Sequence, residues 1–190
     1  LPASLSATLR SGGSWQSRPY MAAAAAIMLL MLGGVFGWFL AHEAGTPGQG
    51  AIAAHALDAH RIYTAEVRHP VEVAGSERAH LQIWLSKRVG TAFVIPDLSA
   101  EGYTLLGGRL LVSEGRPAAQ LMFEDQNRKR ITVFLTSHPT NTETAIRIEE
   151  QGPLIACYWL DGKLGFVVAG EMDRAAMMKL VDVIYEQLEG

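Results

Sequence analysis

The chain has 190 residues, with 16 Lys and Arg against 19 Asp and Glu, a net charge of −3 and 8% aromatic residues. That length holds one ordinary domain plus a short accessory segment, and the near-balanced charge excludes the basic footprint of a nucleic-acid binder. Cys157 is the only cysteine, which excludes an intrachain disulfide and a thiolate zinc site.

Residues 1–20 are rich in Ser, Gly and Ala and lack the periodicity of a folded element, so a juxtamembrane tail is expected there. The first residue is Leu1 rather than Met, and the tail is expected to be the truncated end of a longer region.

Residues 21–41, from Met21 to Ala41, carry no charge. At about 1.5 Å per residue, such a run is long enough to cross a hydrocarbon core of roughly 30 Å as a helix. Two other readings compete. A secretory signal peptide would have a shorter apolar region and a nearby small-x-small cleavage site, which the flank Ala41-His42-Glu43-Ala44-Gly45 supplies poorly. A buried soluble helix would show a polar stripe, and there is none. A single transmembrane helix is therefore expected.

Arg10 and Arg18 precede the run, with no acidic residue in the tail, whereas Glu43 is the nearest charge after it. The positive-inside rule then places the N-terminus in the cytoplasm and the large C-terminal part outside. Trp15 and Tyr20 at one end, and Trp38 and Phe39 at the other, suit the two membrane interfaces. Gly33 and Gly37 form a G-x-x-x-G pattern, which permits close helix approach or a weakened helix that an intramembrane protease can open. Glycine is also simply common in membrane spans.

Residues 42–50 read as a Gly/Pro linker, and residues 51–190 as the outer domain. An apolar stripe through Ile52, Ala56, Ala59, Tyr63 and Val67 predicts a helix over 51–67, ended by His69-Pro70. After a short extended piece at 71–73, Ser76 is the expected N-cap of a second helix that ends at Gly90. The period then becomes two over 103–112, 118–124, 130–136, 144–149, 154–160 and 164–169, which predicts an antiparallel meander. Asp173 caps a closing amphipathic helix carrying Met177, Leu180, Val181, Ile184 and Leu188. The expected class is α+β, an antiparallel sheet packed on one face by two N-terminal helices and one C-terminal helix.

No catalytic constellation emerges, so the chain is not expected to be an enzyme. The 6 histidines are scattered, and His55 and His60 are five apart on the first helix, so they do not share a face. No H-E-x-x-H or G-x-S-x-G is present, and no metal or other cofactor is expected. Glu124-Asp125 and Glu149-Glu150 lie at strand ends or turns, where charge is ordinarily solvated. Gly107-Gly108-Arg109 is the most distinctive polar signal: paired glycines within a strand suggest a bulge or a close backbone approach. Arg109 is the one candidate binding residue, able either to pair with a carboxylate or to hold an anion. Cys157, within an apolar strand, is expected in the core.

A series of short matches runs through the outer domain in order. It comprises Tyr63 ahead of His69-Pro70-Val71-Glu72-Val73, then His80-Leu81 leading to Trp84-Leu85-Ser86-Lys87-Arg88. Pro96-Asp97-Leu98, Gly102-Tyr103 and Leu106-Gly107-Gly108-Arg109-Leu110-Leu111 follow. Pro117-Ala118-Ala119-Gln120-Leu121-Met122-Phe123, Tyr158-Trp159 and Gly165-Phe166 ahead of Gly170 complete it. In this order, with the preceding apolar run, the chain resembles the extracytoplasmic part and membrane helix of bacterial membrane-bound anti-sigma factors, the transmembrane transcriptional-regulator type.

That resemblance implies a single-pass protein of the bacterial inner membrane, with a cytoplasmic N-terminal region and a periplasmic domain. The cytoplasmic region would hold an extracytoplasmic-function sigma factor away from RNA polymerase. The outer domain would receive an envelope signal or control the access of envelope and intramembrane proteases. The sigma-binding helices of that family, which in many members carry His-x-x-x-Cys-x-x-Cys, have no counterpart in residues 1–20. The chain is thus either a fragment or a remnant, and Leu1 favours the fragment. The implied partners are a sigma factor, through a region not present in this chain, and the lipid bilayer. The alternative is a membrane-tethered ligand-binding or scaffold module of the envelope, with a groove between the sheet and the final helix into which Arg109 points.

Overall fold

The computed structural model describes residues 27–34, 49–140 and 142–189. The chain divides into two units, Leu1–Gly45 and Thr46–Gly190, so the division falls within the 42–50 linker. In the first unit residues 27–34 are helical, Gly33 among them, and exposed. Among the described residues no helix is long and apolar enough to cross a membrane. Most of the 21–41 run, with Met21, Gly37, Trp38 and Ala41, lies outside the described residues, as do the 1–20 tail and linker residues 42–48.

In the second unit, helix α1 (Gln49–Thr64) leads to strand β1 (Val73–Ala74) and helix α2 (Arg78–Val89). Strands β2 (Thr104–Ser113), β3 (Arg116–Glu124), β4 (Arg130–Ser137), β5 (Arg147–Gln151), β6 (Leu154–Asp161) and β7 (Leu164–Glu171) follow, and helix α3 (Arg174–Glu189) closes the chain. The class is α+β, with a 7-stranded antiparallel sheet.

Local chemistry sets several of these boundaries. Gly90 takes the left-handed conformation at φ 85° and donates its N–H to the Ser86 carbonyl at 2.9 Å, which stops α2. The Asp173 carboxylate accepts the Ala176 N–H at 2.8 Å and its carbonyl accepts Met177 N–H at 3.0 Å, as expected of an N-cap of α3. Ser76 does not cap α2. It lies inside a 3-10 turn, Gly75–Glu77, and Glu77 occupies the N-cap position without a side-chain bond. Helix α1 stops at Thr64 rather than near Val67, and a tertiary partner takes the Thr64 carbonyl, as described below.

The strand order, β1-β2-β3-β4-β7-β6-β5, is not a simple meander. Strand β4 is followed in sequence by β5 at the far edge, and β6 and β7 then fill the space between. The connector after β4 is carried across by bonds from His138 N–H to Lys163 O at 2.7 Å, Thr142 N–H to Gly162 O at 2.9 Å and Thr144 N–H to Leu160 O at 3.0 Å. Thr144 also accepts the Leu160 N–H through its hydroxyl at 2.9 Å, so β5 starts at Arg147 rather than at 144.

The helices cover both faces of the sheet, not one. Leu81, Leu85 and Val89 of α2 and Met177, Leu180, Val181 and Ile184 of α3 pack on Leu121, Phe123, Ile131, Val133, Cys157, Trp159, Phe166 and Val168. Ile52, Ala56 and Leu57 of α1 pack on the alternate set, Ala118, Phe134, Ala156, Val167 and Ala169. Consecutive residues of a strand point to opposite faces, so the central strands are buried continuously, as β4 is from Ile131 to Thr136.

Candidate functional site

The two faces of the sheet differ in chemistry. The α2/α3 side is a dense apolar core, in which Trp159 stacks on Phe166 with ring centroids 5.2 Å apart. Burying each of its large aliphatic side chains contributes about 1.5–3 kcal/mol. Cys157 lies in this layer, and burial pushes its thiol up to about 11, so it is a core residue and a poor nucleophile.

The α1 side is mixed, an apolar cluster with buried polar side chains among it. Among the described residues, every buried polar or charged side chain belongs to it: His60 on α1, and Arg109, Ser113, Gln120, Thr132 and Thr136 on the sheet. His60 Nδ1 lies 2.9 Å from Thr132 Oγ1, and His55 Nδ1 lies 3.0 Å from Ser113 Oγ. His60 is lowered from 6.5 to about 4, first by burial and then by the adjacent Arg61 cation. It is therefore a neutral imidazole at pH 7.

The Gly107-Gly108-Arg109 motif anchors this side. The β2–β3 register shifts between Leu105 and Gly107, which is the expected bulge. Gly107 has φ 144°, and a Cβ there would overlap the Val73 carbonyl oxygen, so both the conformation and the close approach of β1 require glycine. The bulge aims Arg109 toward α1. Its guanidinium carbon sits 3.6 Å over the centre of the Tyr63 ring, and Nη2 donates to the His69 carbonyl at 2.7 Å.

Arg109 thus meets an aromatic face and a backbone carbonyl, not a carboxylate, and it is 8% exposed. It fastens the end of α1 and the following connector to β2, with no anion in reach of the described contacts. A cation over a desolvated ring contributes about 0.5–2 kcal/mol. Nor does Arg109 point into a groove beneath the final helix, because α3 packs on the opposite face of the sheet.

Arg130 is a second clamp. It pairs with Glu124 at 2.9 Å and donates to the carbonyls of Thr64 at 2.8 Å and Glu66 at 2.6 Å. A cation on the last carbonyls of α1 also suits the negative end of the helix dipole. Glu72 completes the seam, with its N–H on Gly108 O and its carboxylate accepting the Leu110 N–H, both at 3.0 Å. Its neighbour Gln120, opposite Arg109 in the register and 1% exposed, has no hydrogen-bond partner at either end of its amide among the described residues.

Of the other polar candidates, Glu124 is held by Arg130, and the Asp125 carboxylate caps its turn by accepting Asn127 and Lys129 N–H, each at 2.8 Å. Glu150 meets Arg174 at 3.4 Å near the surface. Among the described residues no group of His, Cys, Asp and Glu converges in a way that could hold a metal ion.

Open space is confined to clefts. One of about 230 Å³ is lined by His60, Thr64, Arg128, Lys129, Arg130 and Glu171. Another, of about 290 Å³, lies between Phe93, Val94, Leu164, Phe166 and Leu188. Thr132 and Arg130 are not singled out by the sequence, which marks His60 only as a candidate metal ligand and Gln120 only within the ordered motif. The signal for Gln120 was nonetheless present, as a polar residue at an inward position between Ala119 and Leu121.

Comparison with family models, with curated proteins and with solved structures finds no match.

Proposed function

We propose that this chain is the anchor and receiver portion of a bacterial membrane-bound anti-sigma factor, working by binding and release rather than by catalysis. The apolar run at 21–41 would be the single span of the inner membrane, with the tail in the cytoplasm and the second unit in the periplasm. The sigma factor would be held by a cytoplasmic region joined to the tail. The outer domain would gate the proteases that release it.

The observation that carries this reading is the organisation of the chain: an uncharged run able to span a bilayer, a Gly/Pro stretch, then a separate α+β unit. Supporting it, the residues that carry the family resemblance occupy joints of the fold. Gly107 forms the bulge, and Arg109 and Tyr63 tie α1 to the sheet, so the order of the motif reflects one architecture. The alternative of a ligand-binding module loses Arg109 as its binding residue, since Arg109 lies on the face away from the final helix, and the cleft beside Leu188 is lined mainly by apolar side chains.

The test has two arms. Reporter fusions before residue 21 and after residue 190 are expected to place the tail in the cytoplasm and the C-terminus in the periplasm. The product of the intact open reading frame is expected to co-purify with an extracytoplasmic-function sigma factor. Reversed topology, or an intact protein that retains no sigma factor, defeats the proposal.

A further inference from the structure

The seam under α1 is built unlike the rest of the core. Its buried helix face is short of bulk, with Ala53, Ala56 and Ala59 beside Ile52 and Leu57. Opposite lie Gln120, Thr132, Thr136, Ser113 and Arg109. Of the five buried side-chain nitrogen and oxygen atoms that lack a partner among the described residues, four belong to this side: Arg109 Nε, Arg116 Nε and both ends of Gln120. Opening α1 would let water reach those four atoms as well as the apolar patch under Ile52 and Leu57, whereas on the α2/α3 face the one such atom is Trp159 Nε1.

We propose that α1 and the 65–72 connector are a detachable strap, which leaves the sheet while β2–β7, α2 and α3 stay folded. The proposal rests on the receiver reading for its purpose, because release would turn the gate into a substrate. Held on the sheet, the 16 residues of α1 span roughly 24 Å at helical rise. Released and extended, residues 49–72 reach on the order of 80 Å and present a strand-like chain to an envelope protease. The connector is already exposed from Ala65 to His69, and Val67 is 78% accessible. The strap is held by the packing of Ile52, Ala56 and Leu57 on Phe134, Ala156 and Val167. Polar contacts hold it too: Arg109 on Tyr63 and His69, Arg130 on Thr64 and Glu66, His60 on Thr132, His55 on Ser113 and Glu72 on β2.

Gln120 gives a variant that reads the opening itself. In the closed state its amide is buried and unpaired, and in the open state it is hydrated, so Gln120→Leu favours closure by about tenfold. The experiment is hydrogen exchange by mass spectrometry on the full chain in lipid nanodiscs, with thermolysin as a proteolytic probe.

Amides of α1 are expected to exchange about 100-fold faster than those of β3, β4 and α3, and the first cuts to fall within 49–72, leaving a resistant core. Gln120→Leu should slow both by about tenfold and leave the α3 amides unchanged. Ala56→Asp, which puts a charge against the sheet, should give the opposite result with the core still protected. Exchange of α1 in one step with β3, β4 and α3, or first cuts outside 49–72, would overturn the strap. Absence of a sigma factor from the intact protein would defeat the functional reading alone, with the strap still judged by exchange.

Discussion

Acidification is the sharpest probe of the α1 seam, because burial holds His60 neutral and opening lets it take up a proton. Its folded value is about 4 against 6.5 for the free side chain, so the opened state binds the proton more tightly. The sign follows. The stability that neutral His60 contributes is fully present above about pH 6.5 and is lost as pH falls from there toward 4. The whole interval corresponds to roughly 3 kcal/mol. Between pH 7 and pH 5, the α1 opening constant should rise about 20-fold.

Hydrogen exchange over α1 peptides, corrected for the intrinsic pH dependence of exchange, measures this directly. The Arg61 cation adds to the disadvantage of an imidazolium there, and Arg128, Lys129, Arg130 and Glu171 are the charged groups that line the same cleft. His60→Asn keeps a hydrogen-bonding group near Thr132 but cannot titrate, so its opening constant should be nearly flat over the same range. An equal pH dependence in the variant and the parent would refute the assignment to His60.

Other perturbations have expected sizes. Gly107→Ala forces a side chain into a left-handed conformation against the Val73 carbonyl, and urea unfolding should show a loss of about 1–3 kcal/mol. Arg109→Met keeps bulk over Tyr63 but removes the charge and the bond to His69 O; a loss of about 1.5–3 kcal/mol is expected in α1 opening, with α3 exchange unchanged. Cys157 should resist a thiol reagent such as DTNB at pH 8 until the domain unfolds, so rapid labelling of the native chain would contradict its place in the core.

Local chemistry was legible in the sequence at several element ends, though not at Ser76, which a 3-10 turn takes from the cap of α2. Gly90 and Asp173 set helix ends by their own conformational and hydrogen-bonding preferences, and Gly107-Gly108 announced the bulge. Tertiary partners displaced the rest. The Thr64 carbonyl at the end of α1 meets Arg130, distant in sequence, and Thr144 docks on Leu160 rather than joining β5. Helices on both faces are missed when 164–169 is read as alternating, although Phe166, Val167, Val168 and Ala169 form an unbroken apolar run. Periodicity of two cannot report the insertion of β7 beside β4, since strand order is set by packing between distant segments. The candidate site was half legible: Arg109 stood out by type and context, but its partners, the Tyr63 ring and the His69 carbonyl, do not follow from the charge of the residue.

The central claim is that this chain anchors and gates a sigma factor. The most direct measurement is affinity purification, from bacterial membranes, of the intact open reading frame through a tag after residue 190, followed by identification of retained proteins. The account predicts an extracytoplasmic-function sigma factor in near-equal amount, lost once the chain is cut within 49–72 and the membrane segment is processed. An intact membrane protein that retains no sigma factor would contradict it.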